Sequence, residues 1–247
     1  MTSYTKIEIT DTGERILPTR EGEISVVFSR HRYAYEYVQQ FVKDKIVIDA
    51  GCGTGYGCDI LAKKAQSVYG VDYDSQAIAY CKKNYAAPNI TFVEMDANSL
   101  DLAQRFDIAV TFQVIEHMPN LSKFVQQLKQ LVKRNGMIFI STPNVKQPQK
   151  DERANPFHFN EMNYTQFLKL ISDNFSSFEI LGVAYASRNK IRSFVAKLPF
   201  YRLGMKLKRK SGLKKIATRA LDLTSFKIIN LNVEEESADF LAVCYNI

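Results

Sequence analysis

Apolar residues between positions 45 and 142 fall into two alternating patterns. Short continuous runs read as buried strands, being brief and rich in β-branched residues: KIVIDA (45–50), SVYGVD (67–72), NITFVEMD (89–96), FDIAVTFQV (106–114) and MIFIST (137–142). Elsewhere apolar residues recur at helical spacing. RHRYAYEYVQQFV, within 24–42, puts Tyr33, Tyr37, Val38 and Phe41 on one face. Further helices carry Ile60 and Leu61, then Ile78, Cys81 and Tyr85 behind a cap at Asp74 or Ser75. A helix over 121–132 is ended by Asn135-Gly136. Strands alternating with helices at this spacing build βαβ units, so the predicted fold is α/β with a parallel sheet.

Beyond the fifth strand the pattern loosens. A polar loop with three prolines, TPNVKQPQKDERANPFHFNE, precedes a helix over NYTQFLKLISDNF. FEILGVAYA (178–186) reads as a sixth strand and ADFLAVCYN (238–246) as a seventh. The organisation expected is an N-terminal arm and lid helix (1–44), a main domain (45–186 plus 238–247) and an insertion (187–237). At 247 residues and 46% apolar composition, the chain can bury one substantial core.

Charge adds a feature that hydropathy does not show. The net charge is +7, yet Arg188 to Arg219 holds twelve Lys and Arg and no acid, which leaves −5 for everything else. Ile191, Phe194, Val195 and Leu198 share one helical face there, and Leu213, Ile216, Ala217 and Ala220 another. A basic helical insertion of this kind suits an anionic membrane surface, through 188–219, or serves as a charged cap on the fold. Nucleic acid is disfavoured, because no aromatic platform or RNA-binding module accompanies the charge. Cys52, Cys58, Cys81 and Cys244 have no paired CxxC spacing, so they read as small buried hydrophobes of a reducing cytoplasm. The polar start MTSYTKIEITDTGER lacks the apolar segment of a secretory signal, and no apolar run reaches membrane-spanning length. The expected location is the cytoplasm, with peripheral contact at the inner membrane face if the basic segment docks there.

The chemistry begins in VIDAGCGTGYG (47–57), where a glycine-rich loop follows the first strand. Open α/β sheets bind ligands beyond the carboxyl ends of their strands, beside this position. A dinucleotide site calls for G-x-G-x-x-G, but the sixth position counted from Gly51 is Tyr56. The loop has no basic residue for a phosphate and has Asp49 at its entrance, so a cationic ligand suits it better. Asp72 ends the second strand, where a carboxylate can accept from both ribose hydroxyls. Asp96 ends the third, placed for an exocyclic adenine amine. An adenosine with a positively charged, phosphate-free tail meets all three requirements, and S-adenosylmethionine is that molecule.

VIDAGCGTG, the VD at 71–72, the MDA at 95–97, QVIEHM (113–118) and GMIFISTPN (136–144) resemble the class I S-adenosylmethionine-dependent methyltransferases. The likeness spans about Val47 to Gly182. It is closest to the ubiquinone-type O-methyltransferases and to those of polysaccharide and secondary-metabolite sugar pathways. RHRYAYEYV and NPFHFNE match the sugar group better. The resemblance implies a Rossmann-like, doubly wound seven-stranded sheet whose last strand is antiparallel. It implies that Gly51, Cys52, Gly53 and Gly55 line the methionine end of the cofactor, with Asp49 holding its ammonium directly or through water. Asp72 then binds the ribose, Tyr73 lies against the adenine, Asp96 accepts from adenine N6 and Ala97 donates its backbone N–H. The Gln113 backbone sits near the methionine end, and Tyr33 is a further candidate contact. The product would be S-adenosylhomocysteine.

Some ubiquinone-type members read E-x-x-E-H after the fourth strand and bind a divalent metal. Here the sequence is Gln113-x-x-Glu116-His117, and the lost carboxylate argues for no metal. In-line methyl transfer to a hydroxyl benefits from a general base. His158, with Glu161 close enough to orient it, is the first candidate and His117 the second, while His31 suits a structural or lid role. The expected function is O-methylation of a sugar or glycan intermediate, lipid-linked ones included. A quinone-type phenol or other small metabolite is the alternative acceptor. A cofactor-binding subunit that does not catalyse is the alternative of another class. DNA amino-methylating enzymes often carry D/N-P-P-Y where this chain has IEHM. Oligomeric state is left open by the sequence.

Overall fold

The computed structural model describes residues 26–146, 158–186 and 226–247. The N-terminal arm, most of the proline-containing loop and the basic segment 188–219 lie outside these residues. Along the chain come α1 (Val26–Val38), β1 (Ile46–Ala50), α2 (Tyr56–Ala62), β2 (Ser67–Asp72), α3 (Ser75–Asn84), β3 (Ile90–Glu94) and β4 (Phe106–Phe112). There follow α4 (Leu121–Leu131), β5 (Val132–Pro143), α5 (Tyr164–Asn174), β6 (Phe178–Tyr185), β7 (Phe226–Ile229), α6 (Val233–Glu236) and β8 (Ser237–Asn246). The sheet order is β3-β2-β1-β4-β5-β8-β6-β7. Strands β1 to β5 are parallel, and β8 runs antiparallel between β5 and β6.

The order reverses between β1 and β4, which opens a crevice at the carboxyl ends of these two strands. Each central strand is buried on both faces, which is why these strands read as continuous apolar runs rather than alternating ones. Ile48, Ile138, Ile140 and Phe240 point to the layer formed by α4 and α5. Val47, Val110, Phe139 and Leu241 point to the layer formed by α1, α2 and α3.

Local chemistry sets the helix ends. Asp74 caps α3 by accepting from the backbone N–H groups of Gln76 (2.7 Å) and Ala77 (3.3 Å). Asn163 and Gln166 close a capping box at the start of α5. Three features depart from the sequence reading. The sheet has eight strands, not seven, because Phe226–Ile229 adds an antiparallel edge to β6. The end of the 187–237 insertion is therefore a strand and a short helix rather than part of a basic helical unit. The buried face of α1 is His31, Ala34, Tyr35 and Val38, a different phase from the face through Tyr33 and Tyr37.

The antiparallel strand β8 is clamped to the α5 layer by aromatic contact. The Phe240 ring stacks on Phe167 with centroids 5.6 Å apart and meets Tyr164 edge-on at 5.7 Å. Phe240 and Phe167 are fully buried. Phe240→Ala is expected to destabilise the protein by about 3–5 kcal/mol, the range for emptying a buried phenylalanine site, as a lower urea midpoint at unchanged slope.

Candidate cofactor and acceptor site

The glycine loop lies at the carboxyl end of β1, bonded to its neighbour strand. The N–H groups of Gly51 and Cys52 both donate to the Val71 carbonyl, at 2.8 and 2.9 Å. Gly51 (φ 82°) and Gly53 (φ 52°) have left-handed backbones that side chains rarely adopt. They are glycine for different reasons. A Cβ at Gly51 would stand 2.4 Å from Val114 Cγ2, so the close approach is to the protein itself. A Cβ at Gly53 would meet nothing within 4 Å, which leaves bare backbone facing open space. That space forms an open cradle.

Asp72 is fixed at the edge of this cradle. Its Oδ2 accepts from Gly53 N–H at 2.8 Å and its Oδ1 from Asp74 N–H at 3.0 Å. The carboxylate is thus tied to the loop and to the start of α3. Tyr73, next to it, is 76% exposed, an unusual setting for a large aromatic ring and one suited to a flat partner. Asp96 begins a single 3₁₀ turn, accepting from the Asn98 backbone (2.8 Å) and side-chain amide (2.9 Å). Ala97 is buried behind it. Carboxylates, bare backbone, an exposed ring and a loop without Lys or Arg fit a phosphate-free nucleoside with a cationic tail.

Asp49 sits below the loop. It is fully buried, with the Tyr35 hydroxyl 3.2 Å from both carboxylate oxygens and the Cys58 thiol 3.4 Å from Oδ2. Burial pushes its pKa up to about 7, and the Cys58 and Tyr35 hydrogen bonds oppose that rise. Tyr35 is the residue of α1 that reaches the site. Tyr33, the residue singled out from sequence, is turned instead toward Phe226 of β7, ring centroids 6.3 Å apart. Helix phase decides between them, and a run with tyrosine at 33, 35 and 37 does not reveal it. Arg30 adds a second tie, its Nε 2.6 Å from Asp239 Oδ2 at the start of β8. His31 is buried, and burial together with Arg30 lowers its pKa to about 3, so the ring is a neutral part of the packing, as its structural role requires.

A second group gathers where β4 ends. Gln113 has a left-handed backbone (φ 56°). Its N–H donates to Ser141 O at 3.1 Å and its side-chain amide to Ser141 Oγ at 3.2 Å. The next turn carries Glu116 and His117. The Glu116 carbonyl accepts from the N–H groups of Phe159 (2.8 Å) and Asn160 (3.0 Å), which pins the distant loop against this turn. His158 is thereby brought to His117, ring centroids 4.9 Å apart and nearly perpendicular. Glu161 Oε1 lies 3.2 Å from His158 Nδ1. Glu116 is only 2% exposed, and its Oε2 accepts from the Thr142 hydroxyl at 3.2 Å. The three candidate catalytic residues from sequence, His117, His158 and Glu161, therefore converge. Glu116, the sequence neighbour of His117, lies with them, and Thr142 joins through its bond to Glu116. Val114 links this group to the cradle through its contact with Gly51.

Comparisons with known proteins show what the chain as a whole is similar to. A family model described as a methyltransferase domain matches residues 41–192. A probable S-adenosylmethionine-dependent methyltransferase of Mycobacterium tuberculosis is 34% identical over 168 residues, 67% of this chain and 60% of the relative. The chain thus spans less than two thirds of that relative's length. A ubiquinone biosynthesis O-methyltransferase of Coxiella burnetii is 32% identical over 115 residues, 44% of this chain and 49% of its own. Among solved structures, the [4+2]-cyclase SpnF superposes with a TM-score of 0.57 at 16% identity, covering 91% of this chain and 85% of its own. At that identity the match speaks for the fold alone.

The buried Asp49 carboxyl gives a pH-dependent expectation. Its folded pKa of about 7 lies above the ordinary aspartate value of about 3.9. Between those values the folded state binds more protons than the unfolded one, so this group costs stability increasingly as pH rises from about 4 through 7. A cationic ligand near Asp49 favours the ionised form. Binding of S-adenosylhomocysteine at pH 6 is expected to release protons, up to about one per site, and to tighten between pH 6 and 8. Calorimetry in buffers of different ionisation enthalpy measures the release, and Asp49→Asn should abolish it.

Proposed function

The chain belongs to the class I S-adenosylmethionine-dependent methyltransferases and takes their cofactor, and on that premise we propose that it methylates a hydroxyl group of a sugar or glycan intermediate. The observation that carries this reading is the convergence of His117, His158 and Glu161 beside the glycine cradle. When bound, the cofactor supplies a sulfonium methyl group for in-line displacement with a neutral thioether as leaving group. The bare backbone at Gly53 and the contact of Gly51 with Val114 shape the seat for the methionine end. Asp72 holds the ribose, Asp96 and the Ala97 N–H read the adenine edge, and Tyr73 covers its face. Tyr35 and Arg30 hold α1 across the site.

A hydroxyl is a weak nucleophile until it loses its proton, so a proton acceptor at the methyl position has work to do here. His158 fills that role, its Nδ1 directed at Glu161 so that Nε2 faces the reaction. A base in this setting contributes about 10²–10⁴-fold. A quinone-type phenol is the second reading, favoured by the likeness to the Coxiella burnetii O-methyltransferase. The shared fold of a [4+2]-cyclase is a reminder that the reaction is set by the site and not by the architecture.

His158→Ala is expected to lower kcat at least tenfold and to flatten the acidic limb of the pH profile, leaving cofactor affinity unchanged. A smaller loss with an unaltered profile removes His158 from the mechanism. Transfer of an isotopically labelled methyl group to pooled glycans and sugar nucleotides, against pooled phenols, separates the two acceptor classes.

The Arg188–Arg219 segment supports a further element of the proposal, docking at an anionic lipid surface. No helix among the described residues is long and apolar enough to cross a membrane. The full chain is expected to co-sediment with phosphatidylglycerol vesicles at low salt, to ignore phosphatidylcholine vesicles and to dissociate above about 0.5 M salt, where screening shortens to a few ångströms.

A further inference from the structure

We propose that Glu116, His117 and His158 form a binding site for one divalent ion of the borderline class, zinc, cobalt or nickel, in preference to magnesium. Each residue offers a ligating atom, and all three atoms lie within 4.8 Å of one another. A tetrahedral ion with bonds of about 2.0–2.2 Å needs its donors roughly 3.3–3.6 Å apart. Rotation of the half-buried His117, with a small shift of the loop that carries His158, can close the difference. Their carboxylate partner cannot wander, because Glu116 is buried with its Oε2 held by Thr142.

The surrounding contacts are those a metal site needs. Glu161 stands at His158 Nδ1, which fixes the ring and assigns Nε2 to the ion, as second partners of metal-bound imidazoles commonly do. The bonds from Phe159 and Asn160 to the Glu116 carbonyl fix the separation of the two segments that carry the histidines. Two imidazoles and one carboxylate suit zinc-class ions, whereas magnesium requires oxygen ligands in a near-octahedral shell. Three protein ligands leave a position for water or an acceptor oxygen.

The expectation of no metal weighed only the β4 end, where glutamine replaces a carboxylate. Gln113 does turn away, to Ser141. The ligand it fails to supply comes from across the site, as His158, from a loop some forty residues further along the chain.

The catalytic consequence rests on the methyl-transfer reading; the binding itself does not. The base role of His158 belongs to the ion-free protein; with an ion bound, His158 is a ligand, and the ion would hold the acceptor hydroxyl as its fourth ligand and lower its pKa.

The test uses the full chain without a purification tag, stripped by chelator and titrated with cobalt(II) in the absence of acceptor. One equivalent is expected to produce the intense visible absorption of a four-coordinate cobalt site, displaced by zinc and unaffected by millimolar magnesium. His117→Ala and His158→Ala should each weaken binding more than tenfold, and Glu161→Gln about 10–100-fold, the range for a second partner. S-adenosylhomocysteine binding by each variant checks that the fold is intact. Should a histidine variant fail that check, X-ray absorption of the cobalt-loaded wild type decides by counting imidazole ligands: two support the site and none overturns it. Absence of the cobalt band, or equal affinity in a folded double variant, overturns the proposal. Cobalt binding as described without methylation of any hydroxyl acceptor sinks the functional reading and leaves the metal site standing. Hydroxyl methylation with no cobalt binding does the reverse.

Discussion

A carboxylate with no exposure to water governs the head of this sheet. Asp49 stands one residue before the end of β1, next to the glycine loop, and its oxygens are satisfied by a hydroxyl from α1 and a thiol from α2. Burying a charge without such partners is prohibitively costly, so the three elements must meet at this point. The carboxyl tolerates the setting by holding its proton up to about pH 7. The arrival of a cation then has a defined electrostatic meaning, because it offsets what burial costs. Helix α1, strand β1 and helix α2 are coupled through one group.

The same economy of parts operates at the end of β4. The chain leaves the strand through a left-handed residue, Gln113, and makes one tight turn bearing Glu116 and His117. Val114 presses on Gly51 and so ties this turn to the cradle. The carbonyl of Glu116 binds the loop that follows β5, delivering His158 and Glu161. Backbone bonds thus place the His158–Glu161 pair beside His117. Arg30, ion-paired with Asp239 at the start of β8, ties α1 to that strand as well.

Much of this was legible in the residues. The five parallel strands emerge from apolar runs because strands buried on both faces leave no room for polar alternation. The Asp74 cap was readable because a cap is a local hydrogen bond between neighbours in sequence. The positions of the glycine loop after β1 and of Asp72 at the end of β2 were readable for a related reason, being set by the strand pattern itself, whereas Asp96 lies two residues past β3, at the start of a 3₁₀ turn. The extra strand Phe226–Ile229 was not legible, since four residues are too few for a period to show and its pairing partner lies some forty residues away.

Sequence alone determined the kind of sheet and the kind of cofactor, which follow from local pattern and from chain topology. Tertiary structure alone decided that Tyr35 and not Tyr33 reaches Asp49, since the rotational phase of a helix is set by what it packs against. It likewise decided that Glu116, buried under Thr142, faces two histidines from separate segments. Side chains distant in sequence acquire a common chemistry only when backbone hydrogen bonds between loops fix their separation, and no spacing along the chain encodes that distance.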